Sequence, residues 1–148
     1  MKLRHALIAS LFALAVLGCS GKSAASAATA AGGAGGKPTV EIGYLNHGPV
    51  ISALADSDKV LASFGDKIKV TRYDLETDQG AAFEKSKGLV GHVPIAIFIN
   101  GSMEVKLGDR TVKFYSFPSG QGTFMMASGS WTADDLRAAI EQALGKAP

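Results

Sequence analysis

Cysteine is nearly absent: Cys19 is the only one in 148 residues. One thiol cannot close an internal disulfide, complete a four-cysteine zinc cage or form a dithiol redox couple. An excess of one charge is missing too, with 15 Lys+Arg against 13 Asp+Glu and a formal charge of +2. That balance excludes the electrostatic footprint of a nucleic-acid binder and an acidic, disordered tail protein. No apolar run is long enough to cross a bilayer. The longest is Ala6–Leu17, twelve residues, where a spanning helix needs roughly 20. No P-loop, Ser-His-Asp arrangement or C-x-x-C occurs. What remains is 47% hydrophobic and 19% charged, the make-up of a chain that buries a core, with length for about one domain.

The short apolar run has the flanks of an export signal. Lys2 and Arg4 form a positive start, the run is the size of a secretory h-region, and Val16-Leu17-Gly18-Cys19-Ser20 ends it. Those last residues resemble the lipobox of bacterial lipoproteins. The resemblance implies that residues 1–18 are a lipoprotein signal peptide and that Cys19 carries a thioether-linked diacylglycerol and an N-acyl chain such as palmitate. Two or more acyl chains anchor stably where one is marginal. Ser20 after the cysteine resembles the sorting pattern for the outer membrane, facing the periplasm, in Gram-negative cells. A soluble secreted protein with an incidental cysteine is the alternative. Removing Lys2 and Arg4 leaves 15 − 2 = 13 basic residues against 13 acidic ones, so the exported chain is neutral.

After Cys19, residues 20–36 are almost all Ala, Gly and Ser. They form a flexible linker spanning about 20–25 Å. Residues 37–148 form the domain. Thr39–Leu45 is a strand candidate, and Asn46-His47-Gly48-Pro49 breaks it and opens a helix that runs to about Phe64. Lys67–Leu75 alternates as a second strand through Ile68, Val70 and Tyr73, and a short helix follows over Ala81–Leu89. The apolar Pro94–Asn100 run suits a strand buried on both faces. Asn100-Gly101 signals a hairpin into Met103–Leu107, with more strand over Thr111–Phe117 and Thr123–Ala127. Leu136, Ala139, Ile140, Ala143 and Leu144 mark a closing helix. Thr132 and Asp135 form its capping box, Trp131 and Leu136 its staple, and Gly145 its C-cap.

That order is α/β, and it resembles the thioredoxin fold: a central mixed sheet flanked by helices, here with an extended hairpin insertion before the last helix. His47-Gly48-Pro49-Val50 stands where thioredoxins carry Cys-Gly-Pro-Cys. Val90-Gly91-His92-Val93-Pro94 resembles the loop whose proline has a cis peptide bond. Tyr73-Asp74-Leu75 with Asp78 resembles the end of the family's next strand, and Glu41 stands where a buried acid serves the second cysteine. The departure is chemical. Thiol–disulfide exchange needs a thiolate, and residues 37–148 contain no cysteine. The resemblance therefore implies a redox-inactive binding or scaffold module, membrane-anchored through its lipid. Its contact surface is the former active-site groove of Asn46, His47, Gly48, Pro49, His92, Val93 and Pro94. A protein or peptide of the envelope is its expected partner, and no cofactor is implied.

The alternatives use the same residues differently. His47 and His92 are the only histidines beyond His5, and paired imidazoles suit a metal site or a metal-dependent enzyme. Such a site needs a third or fourth ligand, for which Glu41, Met125 and Met126 are the candidates, so no metal set is assigned. A purely structural envelope lipoprotein is the remaining reading, with the inserted hairpin making the contacts. The Lys85/Lys87 and Asp134/Asp135 pairs read as solvated faces.

Overall fold

The computed structural model describes residues 36–121 and 128–145. The signal, Cys19, the linker, Met125 and Met126 lie outside them, as does the Thr123–Ala127 strand. The chain runs through strand β1 (Thr39–Tyr44), helix α1 (Gly48–Phe64), strand β2 (Lys69–Asp74), helix α2 (Asp78–Lys87), strands β3 (Ile95–Ile99), β4 (Glu104–Leu107) and β5 (Arg110–Lys113), and helix α3 (Ala133–Ala143). A three-stranded mixed sheet has the order β2-β1-β3, with β1 parallel to β2 and antiparallel to β3. Beyond β3 the backbone continues the pairing: Ile97 N–H donates to Phe114 C=O at 3.0 Å and Ser116 N–H to Ile95 C=O at 2.8 Å. β3 is therefore flanked on both sides, and all five of its residues are buried, as an uninterrupted apolar run requires.

Alternation along β1 separates two layers. Glu41 and Gly43 look toward α2: the Gly43 Cα lies so close to the Phe83 ring that an added Cβ would sit 2.9 Å from it. Phe83 stacks on Tyr73 at 4.1 Å and meets Phe98 edge-on at 5.7 Å. Val40 and Ile42 point the other way and are fully buried. That face is covered by α1 and α3, which pack on each other. No helix among the described residues is long and apolar enough to cross a membrane.

Two helix boundaries are set by side chains. At α3 the capping box is complete: Asp135 N–H donates to Thr132 Oγ1 at 3.1 Å, and Thr132 N–H donates to Asp135 Oδ2 at 2.9 Å. Trp131 and Leu136, the expected staple pair, are both fully buried. Gly145 takes φ 75 past the end of α3. α2 begins three residues earlier than its apolar pattern suggests, because Thr77 caps it through Gly80 N–H at 3.1 Å.

Three expectations are corrected. Asn100-Gly101 does turn with both φ positive, as a two-residue hairpin needs, and Ile99 and Ser102 exchange hydrogen bonds of 2.8 and 3.0 Å. The ladder stops there, because β4 leaves β3 and pairs with β5 instead, giving β3's free edge to residues 114–116. Of the pairs read as solvated faces, Lys85 and Asp134 are exposed, whereas Asp135 is buried and also accepts from Arg110 Nη2, and Lys87 is ion-paired to Glu41 at 2.5 Å with 19% side-chain exposure. The alternation in the second strand is also weak. Ile68 is buried just before β2, whereas Val70 within it stays 38% exposed on the sheet's edge strand.

Candidate functional site

The site lies where the parallel strands β1 and β2 end and α1 begins. Leu45 N–H donates to Pro94 C=O at 3.1 Å, one step beyond the β1–β3 register. That bond brings residues 46–49 and residues 91–94 to one end of the sheet. His47 N–H then donates to Leu45 C=O at 2.9 Å, a tight turn that reverses the chain into α1. Pro49 follows in the first helical turn, where its missing N–H leaves nothing unsatisfied.

His47 is the N-cap residue of α1, yet its side chain does not cap the helix. Its Nε2 instead lies 3.0 Å from Glu76 Oε1. The other oxygen of that carboxylate accepts from Asn46 N–H at 3.2 Å. Asp74 completes the set: Oδ2 accepts from Asn46 Nδ2 at 3.1 Å, and Oδ1 accepts from Glu76 N–H at 3.0 Å. Two carboxylates from the end of β2 thus hold the segment that opens α1. Glycine makes this possible. A Cβ on Gly80 would stand 1.9 Å from the Asp74 carbonyl oxygen, so only glycine lets α2 close onto the turn that carries Glu76.

Across the sheet end, His92 is exposed and makes no hydrogen bond or ion pair among the described residues. Val93 is 1% exposed and Pro94 is buried. The Val93 N–H and C=O have no hydrogen-bond partner among the described residues. The bond between Val93 and Pro94 is trans, which departs from the cis form that the thioredoxin resemblance implies. Large exposed apolar side chains among the described residues are few, namely Ile51, Val70 and Val90. Two of them flank this site: Ile51 at 45% exposure in the first turn of α1, and Val90 at 85% beside the 91–94 loop.

Glu41 stands apart. It is partly buried on the α2 face, and its charge is met by Lys87, whose Nζ also lies 4.9 Å from the Phe98 ring centre. No hydrogen bond or ion pair joins it to His47 among the described residues. Among the described residues, no group of three or more His, Cys, Asp and Glu has the arrangement to hold a metal ion. Asn46, His47, Gly48, Pro49, His92, Val93 and Pro94 therefore share one sheet end. Sequence reasoning missed Glu76 and Gly80, because neither belongs to a motif and both act through a turn that only the folded β2–α2 junction creates. Comparison with family models, curated proteins and solved structures found no match.

Proposed function

We propose that this chain is a lipid-anchored, thioredoxin-like binding module of the bacterial envelope that works without thiol chemistry. The thioredoxin-like reading draws support from the β1-α1-β2-α2-β3 order, the parallel β1–β2 pair, β3 antiparallel on the other side of β1, and the closing helix α3. Residues 37–148 contribute no thiolate, so whatever the groove does, it does without thiol–disulfide exchange.

The observation that carries the reading is the Val93 peptide at the end of the sheet, whose N–H and C=O have no hydrogen-bond partner among the described residues. Val93 is 1% exposed, so an extended segment reaches its main-chain groups when the exposed Gly91-His92 stretch shifts aside, and the hydrogen bonds it then gains are the β-augmentation mode of recognition. Ile51 and Val90 supply apolar ground on either side, and the Glu76 carboxylate fixes His47 so that little ordering is left to binding. With the bond before Pro94 trans, that peptide has no hydrogen-bond partner among the described residues. Lipid at Cys19 and the linker place this surface near, and free of, the membrane.

The test is recovery of an envelope partner by cross-linking. Recovery is expected with the unaltered chain and not with Val93→Pro, which removes the N–H, provided thermal unfolding is unchanged. Equal recovery from both chains would sink the reading.

A further inference from the structure

A second site candidate shares no residue with the first. Where α1, the turn over residues 118–121 and the start of α3 meet, there is a cavity of about 220 Å³. Ser57 lines it from α1; its side chain is 1% exposed, and its Oγ has no hydrogen-bond partner among the described residues. Ala133 and Asp134, the first two residues of α3, form the opposite wall. The Thr132 hydroxyl satisfies Asp135 N–H, and the N–H groups of Ala133 and Asp134 make no hydrogen bond among the described residues. A buried hydroxyl and two helix-start amides thus line one space, none of them with a hydrogen-bond partner among the described residues.

The electrostatics select the ligand. Asp56 and Asp134 also line the cavity, and among the described residues only Asp56 of the two is met by a lysine, Lys59 at 2.8 Å. An anion drawn to the amides would face both carboxylates. A cation drawn to the carboxylates would face the positive end of α3, and an ammonium has no lone pair for the amides. A hydroxyl both donates and accepts, so adjacent hydroxyls fit both walls at once. At about 220 Å³ the space suits a small molecule and falls below the roughly 300–1,000 Å³ of drug-sized ligand pockets. We propose that this cavity binds a small neutral polyol of single-sugar size. One oxygen accepts from the amides of Ala133 and Asp134, Ser57 bonds to the same group, and a neighbouring hydroxyl donates to the Asp134 carboxylate.

The experiment is a ¹H–¹⁵N titration of the full chain with glucose, N-acetylglucosamine and myo-inositol, and with acetate and methylammonium as charged controls. Saturable shifts of the Ala133 and Asp134 amides are expected with at least one polyol. Ser57→Ala is expected to weaken that binding about fivefold, the loss of one hydrogen bond, and to leave thermal unfolding unchanged or slightly raised. Asp134→Asn, an exposed position in the first turn of α3, gives a second reading of the same loss. Absence of saturable shifts with all three polyols overturns the proposal. So does tighter binding of either charged control, or unchanged affinity in both variants.

Discussion

His47 Nε2 and Glu76 Oε1 lie 3.0 Å apart, joining the residue that opens α1 to the turn after β2. Both side chains are about half exposed, so the contact is a positioning device more than a source of stability; exposed pairs contribute about 0–1 kcal/mol. Glu76→Ala is expected to change unfolding free energy by less than about 1 kcal/mol, read by urea denaturation. Partner recovery should fall, because Asn46 and His47 lose their shared anchor. A loss of several kcal/mol would instead make Glu76 a structural residue.

Two glycines separate steric need from mere presence. A Cβ on Gly80 would collide with the Asp74 carbonyl, whereas one on Gly48 would meet nothing within 4 Å. Gly80→Ala should therefore destabilise by about 2–3 kcal/mol or more through forced movement of backbone. Gly48→Ala, at the first position of α1, should be neutral or stabilising by up to about 1 kcal/mol. Comparable midpoints for the two variants in denaturant would show that the α2 approach is wrong.

These contrasts mark what the sequence made legible. The elements announced by period and punctuation, β1, α1, β3 and α3, lie where their patterns put them, because burial on one face or two is a local property of the residues. The capping box of Thr132 and Asp135 was readable for the same reason. The second bond of Asp135 to Arg110 was not, since it spans residues far apart in the chain. The Asn100-Gly101 turn was legible as a turn; the partner of β4 depended on which segment took β3's other edge. At the site, His47 and His92 were singled out by the resemblance, while Glu76 and the Ile51–Val90 flank needed the fold.

Asp135 ties α3 to β5 and to its own N-cap, accepting from Thr132 N–H and Arg110 while its own N–H is held by Thr132 Oγ1. Asp135→Ala removes the return half of the capping box and leaves Arg110 without its carboxylate. A loss of about 2–3 kcal/mol is expected, measured as a lowered denaturation midpoint with an unchanged slope. Arg110→Ala, more than half exposed, should lose less. The reverse ranking would count against the cap as the main contribution.

Glu41 and Lys87 form a partly buried pair at 2.5 Å. Removing one partner leaves the other's charge uncompensated, so Glu41→Ala should cost about 1–3 kcal/mol. Adding Lys87→Ala should then cost little more, and the double-mutant cycle should return a favourable coupling. A coupling indistinguishable from zero would leave Glu41 available for some other role.

The binding claim is tested most directly by site-specific photo-cross-linking in the envelope. A photoreactive residue is placed at Ile51, at Val90 and, on the opposite segment of the chain, at the exposed Lys106 of β4. One partner captured from both Ile51 and Val90 and not from Lys106 is the expected result. Capture from Lys106 alone would move the contact surface to the inserted hairpin and contradict the groove.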